Sequence, residues 1–406
     1  MNSETNCITP PAGNATKPPT ILQVLPSLET GGVERGTLDI ARALKETGWR
    51  PIVASSGGTM VHELERFGVD HFEMPLHSKN PYVIRRNITR LRKLIEAEGA
   101  DIVHARSRAP AHSAISAARH ANIHFMTTFH ATYNFSTTLK HWYNSVMAKG
   151  ERVIAISNTL KDHILENYPV NPNRIRVIHR GVDFDRFNPL NVSAERMIQL
   201  AREWRLPDGI PVVLLPGRLT EWKGQKVLIE ALAQIQHKKI RCLLVGSDQG
   251  RDGFRKSLEK SAQRLKIEHA VHIVGECRDM PAAYMLADVV VSASTDPEGF
   301  GRVMVEAQAM GRPIIASDHG ASREIVRHGN TGWLFPPGDV RTLSERVAYA
   351  IQLSEEHRHR IAEEAIANAR KNFSLTRMCN ATLDVYQELL SEPVASAQVG
   401  TRPVGP

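Results

Sequence analysis

The sequence has 406 residues, of which 42% are hydrophobic and 23% charged, and its net charge is +8. At roughly 100–200 residues per domain, this length predicts two globular domains. No run of ~18–20 apolar residues predicts a membrane-spanning helix, and nothing near the start has the apolar core of a secretory signal. We therefore expect a cytoplasmic protein. The charge is compatible with an anionic membrane or small substrate, while no zinc-finger or aromatic RNA-binding pattern supports nucleic acid as a partner.

Short β-branched, largely apolar runs alternate with helical patterns along the whole chain. Runs that are apolar on both faces are typical of parallel strands covered by helices. The first set of predicted strands is 21–25, 51–54, 101–104, 125–129, 152–156 and 174–178. The second set is 212–215, 242–245, 271–274, 288–292, 313–316 and 331–335. This alternation predicts an α/β protein with two doubly wound, Rossmann-like sheets.

A polar stretch at about 188–210, bracketed by Asn188-Pro189 and by Pro207-Asp208-Gly209, separates the two sets. We predict a first domain over 21–190, a second over 205–372, and a crossover helix over 373–391 that packs back on the first domain. The tails, 1–20 and 392–406, are predicted to be disordered. The ligand site is expected in a cleft between the domains, at the carboxyl ends of the strands.

The first candidate motif, at 25–36, reads L-P-S-L-E-T-G-G-V-E-R-G and joins a predicted strand to a helix. Gly31 and Gly32 would allow close backbone approach to a ligand, and the start of the helix attracts anions. The motif is neither G-x-G-x-x-G nor a Walker A sequence, and an ordinary strand-to-helix turn explains it equally well.

The second motif, at 216–224, reads P-G-R-L-T-E-W-K-G and follows the first strand of the second set. Arg218 offers a planar fork of donors and Lys223 a compact charge. Two cations in one loop suit a diphosphate. The alternative is a solvated basic loop.

The third motif, at 297–307, reads P-E-G-F-G-R-V-M-V-E-A and is the most specific. Glu298 falls in a loop, and Glu306 is expected about two turns into a helix that starts at Gly301. Carboxylates accept hydrogen bonds from sugar hydroxyls, so two of them could hold two rings. Backbone N–H groups at the helix start could meet a phosphate. The alternative is a carboxylate favoured by the helix dipole together with an exposed glutamate.

Together and in this order, the motifs resemble family 4 of the retaining glycosyltransferases, which have the GT-B fold. The resemblance extends to V-I-H-R-G-V-D at 177–183 and G-R-P-I-I-A at 311–316, and it covers about 21–390. It implies that Arg218 and Lys223 bind the diphosphate of a GDP- or UDP-hexose donor, Glu298 the transferred sugar and Glu306 the ribose. The other implied positions are Gly31 and Gly32 near the sugar and acceptor, His130 near the reacting carbon, Gly299, Phe300 and Gly301 at the donor, and Gly275 at the base.

Two features depart from this simple picture. Arg180 stands where the family commonly has asparagine, so its contacts are open. Asp183-Phe184-Asp185 is formally a D-x-D metal motif, but its place in the Gly-Val-Asp loop favours a structural role. Because Arg218 and Lys223 can supply the positive charge, we expect neither a metal nor another cofactor.

The motifs also resemble the bacterial subgroup that builds the lipopolysaccharide core, which includes mannosyltransferases. That subgroup implies a glycan or glycolipid acceptor that is phosphorylated or acidic, for which Arg106, Arg108 and Arg180 are candidate contacts. A predicted helix carries a basic cluster that could dock on an anionic membrane, or could be merely a solvated face. The cluster consists of Arg85, Arg86, Arg90, Arg92 and Lys93.

Three other functions remain open from the sequence. The protein could build another envelope polysaccharide or an exopolysaccharide. It could be a GT-B sugar-nucleotide epimerase, which shares the fold and the donor but has no acceptor. A nucleic-acid-binding protein is suggested only by the net charge.

Overall fold

The computed structural model describes residues 17–29, 31–133, 136–235, 239–250 and 252–394. Most of both predicted tails therefore lies outside the described residues. The chain forms two compact units. The first unit comprises Met1–Ile156, Lys161–Ile178 and Cys379–Pro406, and the second comprises Ser157–Leu160 and His179–Met378.

The first unit contains a seven-stranded parallel sheet with the order β3-β2-β1-β4-β5-β6-β7. The order reverses between β1 and β4, which pair directly, for example Ile21 with Ile102. The strands are β1 (Thr20–Val24), β2 (Arg50–Ser55), β3 (Asp70–Glu73), β4 (Ile102–Ala105), β5 (His124–Phe129), β6 (Arg152–Ala155) and β7 (Ile175–Val177).

Helices connect these strands, and their ends follow from local sequence. The third helix begins at Pro81, where the Asn80 side chain caps it by accepting a hydrogen bond from the Tyr82 N–H group. It ends at Glu98, because the next residue, Gly99, has a left-handed φ of 59°. The helices that precede β7 in the chain are α1 (Gly32–Glu46), α2 (Val61–Arg66), α3 (Pro81–Glu98), α4 (Arg108–Ala121), α5 (Thr138–Asn144) and α6 (Asn158–Asn167).

The second unit contains a six-stranded parallel sheet with the order β10-β9-β8-β11-β12-β13, which reverses between β8 and β11. Its strands are β8 (Val212–Pro216), β9 (Arg241–Val245), β10 (Val271–Gly275), β11 (Val289–Ser292), β12 (Ile314–Ser317) and β13 (Gly332–Phe335). The later helices are α7 (Ala194–Glu203), α8 (Gln225–Ala233), α9 (Asp252–Arg264), α10 (Met280–Leu286), α11 (Arg302–Ala309), α12 (Ser322–Ile325), α13 (Val340–Ile351), α14 (Glu355–Phe373) and α15 (Leu375–Leu390). Short 3₁₀ helices span Ser145–Lys149, Pro172–Arg174, Pro189–Asn191 and Glu221–Lys223.

The predicted α/β class with two Rossmann-like parallel sheets is confirmed. Every predicted strand is present, with ends within one residue of the prediction. The strand that the sequence did not predict is β3, whose residues Asp70–Glu73 are half-buried or exposed. It lies at the edge of its sheet, so it lacks the continuous apolar pattern of the central strands.

Candidate functional site

The predicted donor residues of the second unit lie at one edge of its sheet. Open parallel sheets bind ligands at the carboxyl ends of the strands that flank the reversal of strand order. Here those strands are β8 and β11. Arg218 and Lys223 lie in the loop after β8, while Glu298 lies in the loop after β11. The fold thus brings the second and third motifs together.

These two loops are in direct backbone contact. The Thr295 N–H group donates to the Trp222 carbonyl oxygen at 2.7 Å. Gly224 has a φ of 71°, and a Cβ atom at this position would overlap the carbonyl oxygen of Ala293. Only glycine combines this left-handed conformation with such a close approach. The spacing between the two loops is therefore fixed by their main chains.

Lys223 and Glu298 form an ion pair between the loops. Their side chains are only 16% and 10% exposed, and the Ser294 hydroxyl donates to the same carboxylate oxygen at 2.6 Å. The Lys223 ammonium group also lies 4.3 Å from the centre of the Trp222 ring. Lys223 and Glu298, which were predicted to bind the diphosphate and the sugar separately, are therefore paired with each other in this structure.

Arg218 is the solvent-facing cation of the site. Its carbonyl oxygen accepts a hydrogen bond from the Gln225 side chain at 2.8 Å. Within the described part of the chain, no carboxylate forms an ion pair with its guanidinium group. Arg218 is therefore available to an external anion.

Glu306 lies on α11, which starts at Arg302 rather than at Gly301. Glu306 is the fifth residue of this helix, so the expected depth of two turns is wrong; the residue lies just over one turn in. The Tyr284 hydroxyl donates to its carboxylate at 2.9 Å, and the Arg302 guanidinium pairs with it at 3.2 Å. Burial, reinforced by this carboxylate, raises the pKa of Tyr284 well above its usual value. Glu306 is held in a fixed orientation.

The glycine-rich loop before α11 is anchored by neighbours on both sides. The Gly299 carbonyl accepts a hydrogen bond from the Ser157 hydroxyl at 2.7 Å. The buried Phe300 ring lies 6.0 Å from the His179 ring and 5.8 Å from the Phe373 ring. Gly301 has a φ of 86° and caps the helix. This anchoring supports a preformed loop.

Gly275, the residue implied for the base, ends strand β10 with a φ of 78°. The Gly246 N–H group donates to its carbonyl at 2.7 Å. A Cβ atom at this position would have no neighbour within 4 Å among the described residues. Gly275 therefore lies at the carboxyl end of its strand, as Arg218 and Glu298 do, and it is two strands away from β8. The space beside it is open.

The sequence analysis missed Glu324, the third of the four residues of α12. Its carboxylate accepts hydrogen bonds from the Asn158 and Thr159 backbones and side chains and from the His179 ring, at 2.8–2.9 Å. Burial alone would raise the pKa of Glu324, but these donors lower it to about 2. The partners lie 145–166 residues away, so no local pattern indicates them.

In the first unit, the candidate residues also follow adjacent strands. Gly31 is the N-cap of α1 and Gly32 its first residue, while His130 follows β5. Arg106 is buried directly after β4. Arg108 starts α4, donates to the Asn144 side chain at 2.8 Å and lies 4.2 Å from the Tyr133 ring centre.

Arg180, the third acceptor candidate, is buried in the second unit. Nearby, the Asp183 carboxylate accepts hydrogen bonds from the backbones of Asp185, at 2.9 Å, and Arg186, at 3.2 Å. Asp183 thus closes its own turn, in agreement with the structural interpretation of the D-x-D sequence. Among the described residues, no three acidic, histidine or cysteine side chains are placed to share a metal ion.

The described helices include none with the length and apolar character needed to cross a bilayer.

The fold and the site together define a class of enzyme, the glycosyltransferases with the GT-B fold. Two parallel sheets, with cations and carboxylates at the carboxyl ends of the strands, are the architecture of GT-B glycosyltransferases.

Comparison with known proteins narrows this class to a family. Residues 30–186 match the family described as Glycosyltransferase Family 4, and residues 198–368 match Glycosyl transferases group 1. A glycosyltransferase from Rickettsia africae ESF-5 of known structure is 39% identical, covers 93% of this chain and 100% of its own, and superposes with a TM-score of 0.87. The chain therefore belongs to family 4 of the glycosyltransferases.

Two curated relatives cover the chain to different extents. EpsD of Bacillus subtilis (strain 168), which is named as a glycosyltransferase, is 29% identical over 84% of this chain and 90% of its own length. The D-inositol 3-phosphate glycosyltransferase of Salinispora tropica is 31% identical over 61% of this chain, and the matched region spans about half (53%) of the length of that relative.

Proposed function

We propose that this enzyme is a retaining hexosyltransferase that takes its sugar from a GDP- or UDP-hexose and adds it to a glycan of the bacterial envelope, with the lipopolysaccharide core as the first candidate. The observation that carries the proposal is the meeting of Arg218, Lys223 and Glu298 at the reversal of the second sheet. Two cations and a carboxylate at this position suit a diphosphate joined to a sugar.

The donor diphosphate binds between the exposed guanidinium of Arg218 and the ammonium of Lys223. As the bond from the anomeric carbon to the phosphate oxygen breaks, negative charge grows on the departing diphosphate. Cations already in place stabilise that charge without having to reorganise. The backbone of Gly299–Gly301 adds donors at the start of α11.

Two carboxylates position the groups on either side of the diphosphate. Glu298 accepts hydrogen bonds from hydroxyls of the transferred sugar, while Glu306, held by Tyr284 and Arg302, accepts those of the ribose. The base meets the chain near Gly275, where the structure leaves open space. In this assignment Glu298 binds the ring of the transferred sugar and Glu306 binds the ribose ring of the nucleotide.

The first unit contributes the acceptor side. The family resemblance assigns the Gly31–Gly32 turn and His130 of this unit to the reacting sugar and its acceptor. The candidate acceptor contacts are Arg106 and Arg108 of the first unit and Arg180 of the second. The departing phosphate takes the proton of the attacking hydroxyl on the same face of the sugar, which yields retention of configuration. This step needs no separate general base.

Donor binding is the sharpest test of the proposal. In a thermal-shift panel of UDP-, GDP- and ADP-sugars, one nucleotide series should raise the melting temperature, because a ligand that binds only the folded state stabilises it. The shift should shrink in Lys223→Met and persist in Lys226→Met, an exposed lysine one turn away. A panel without any shift would refute the proposal.

The requirement for an acceptor distinguishes a transferase from the alternative, a sugar-nucleotide epimerase. A transferase releases nucleotide rapidly only when an acceptor glycan is present, whereas an epimerase interconverts sugar nucleotides without one. Core oligosaccharide and exopolysaccharide fragments, offered in parallel with the preferred donor, would distinguish the lipopolysaccharide core from the other envelope polymers.

We also propose that α3 docks on an anionic membrane at the cytoplasmic face. The five cations of the basic cluster, Arg85, Arg86, Arg90, Arg92 and Lys93, are all exposed, and Tyr82 on the same helix is 66% exposed. Each cation near an anionic surface contributes ~1 kcal/mol. Flotation with vesicles containing anionic lipid should recover the protein, and neutral vesicles should not; equal recovery would rule out the docking.

A further inference from the structure

The loop that follows β12 lies against the loop that follows β11 and carries Glu298. The two strands are neighbours in the second sheet, so both loops leave the same edge. Gly320 has a φ of 58°, and a Cβ atom there would lie within 2.8 Å of the main-chain nitrogen and oxygen of Glu298. The Ala321 N–H group donates to that carbonyl oxygen at 3.2 Å. The loop after β12 therefore supports the main chain of the proposed sugar-binding residue.

The imidazole ring of His319 adds a side-chain contact between these loops. Its Nε2 atom lies 2.9 Å from the carbonyl oxygen of Ser294. Because a carbonyl oxygen can only accept a hydrogen bond, Nε2 carries a proton and donates it. The Ser294 hydroxyl in turn donates to the Glu298 carboxylate at 2.6 Å. A single residue, Ser294, thus connects His319 to the Glu298 carboxylate.

The choice of histidine at position 319 has a cost. The second ring nitrogen, Nδ1, is buried and has no partner among the described residues. A buried polar atom without a partner lowers stability, and an apolar side chain of similar size would avoid this loss. What histidine supplies, and an apolar side chain lacks, is the N–H donor to Ser294. That donor therefore explains the residue type.

The hydrogen bonds of the Glu298 carboxylate are concentrated on one of its two oxygens. Lys223 and Ser294 both donate to Oε1. Within the part of the chain that the structure describes, the other oxygen, Oε2, has no partner. An ionised carboxylate oxygen accepts hydrogen bonds from hydroxyl groups. The bonds on Oε1 thus orient the carboxylate and leave Oε2 for a sugar.

We propose that His319 is a positioning residue of the donor site, which acts through Ser294 to orient the Glu298 carboxylate for the hydroxyl groups of the transferred hexose. It affects how tightly the sugar half of the donor is bound, and it leaves the binding of the nucleoside diphosphate half unchanged. The inference rests on the proposed function and adds a residue of the loop after β12 to the donor site.

The first experiment measures donor binding with and without the sugar. Calorimetric titration of the full chain compares UDP-glucose with UDP, and GDP-mannose with GDP. In His319→Leu the Kd of the sugar nucleotide should rise about five- to tenfold, as expected for one lost hydrogen bond, while the Kd of the nucleoside diphosphate should change less than about twofold. Glutamine keeps an N–H donor, so His319→Gln should restore binding of the sugar nucleotide to within about threefold of wild type.

His357→Leu is the matched control, because His357 is an exposed histidine of the same unit. It should leave both dissociation constants unchanged. If His319→Leu weakens the sugar nucleotide and the nucleoside diphosphate equally, His319 has a general structural role and the inference is wrong. If glutamine binds the sugar nucleotide no better than leucine does, the N–H donor is irrelevant and the inference is also wrong.

A double-mutant cycle tests whether His319 acts through Ser294. Ser294→Ala removes the hydroxyl that bonds to Glu298, so it should itself raise the Kd of the sugar nucleotide. If His319 acts by this route, His319→Leu should add less than about a further twofold in the Ser294→Ala background. Fully additive effects would contradict the inference.

The wild-type titrations separate this inference from the proposed function. If UDP-glucose or GDP-mannose binds the wild type and His319→Leu binds it equally well, the inference fails and the transferase assignment stands. If no UDP- or GDP-hexose binds the wild type, the proposed function fails and the inference fails with it.

Discussion

The ammonium group of Lys223 has two possible partners, the Glu298 carboxylate that it contacts and the donor diphosphate that we propose. Both are anionic and lie at the same edge of the sheet. The ion pair holds Lys223 in place before the donor arrives, so little side-chain entropy remains to be lost on binding. At the residue scale, the internal acid thus prepares the cation for its substrate.

Replacing Lys223 should therefore affect both rate and stability. We expect Lys223→Met to lower kcat/KM for transfer by about 10²–10³-fold, the usual loss when one preorganised electrostatic contact is removed. It should also lower the free energy of unfolding by about 1–3 kcal/mol, because the Glu298 carboxylate loses its cation. Steady-state kinetics and urea unfolding measure the two effects. Transfer within a few-fold of wild type would contradict the assignment.

Glu324 makes the stability of the protein depend on acidic pH. Its folded-state pKa of about 2 lies below the ordinary value of 4.5, so its contribution is complete above pH 4.5 and is lost as the pH falls toward 2. In Glu324→Gln, the drop in unfolding free energy between pH 5 and pH 2.5 should be smaller than in wild type by about 2 kcal/mol. Glu364→Gln, at an exposed position, should follow the wild-type curve.

At the scale of elements, sequence reasoning succeeded where pattern and burial coincide. The central strands are apolar on both faces, and α15 (Leu375–Leu390) lies within the range 373–391 that was predicted for the last helix. It failed at β3, whose edge position needs no apolar pattern, and at the start of α11, where the left-handed Gly301 delays the helix by one residue. The pairing of Lys223 with Glu298 joins residues 75 positions apart, so it depends on strand order rather than on local sequence.

The contact between α15 and β4 supplies a test at this scale. The buried His104 ring bonds to the Tyr386 hydroxyl and to the Thr128 hydroxyl, both at 2.7 Å. Burial lowers the pKa of His104 well below its usual value, so the ring is neutral.

Tyr386→Phe should leave one nitrogen of this ring without a partner and lower the unfolding free energy by about 1–3 kcal/mol. Tyr349→Phe, at a residue that is 53% exposed, should change it by less than about 0.5 kcal/mol. Urea unfolding followed by fluorescence compares them. Equal effects would mean that the hydrogen bond to His104 contributes nothing.

At the scale of the whole molecule, the same arrangement occurs in both units. Each parallel sheet reverses its strand order once, and most of the candidate residues follow the strands beside that reversal, β1 and β4 in the first sheet and β8 and β11 in the second. In the second unit the cluster carries its own positive charge, in Arg218 and Lys223.

Because Arg218 and Lys223 supply positive charge at the site, we expect sugar transfer to proceed without a divalent metal ion. Treatment of the full chain with EDTA should leave the rate within about twofold, because the two side chains supply the stabilisation that a metal ion would give. A loss that is restored by added Mg²⁺ or Mn²⁺ would show that the side chains are insufficient.

The main-chain contact at Gly224 has a consequence for engineering the enzyme. Since the carbonyl of Ala293 already occupies the space that a larger residue at position 224 would need, a substitution there would push apart the two loops that carry Lys223 and Glu298. Attempts to alter donor preference should therefore keep Gly224, and they should also keep Gly275, because its φ of 78° would strain any other residue even though the space beside it is open.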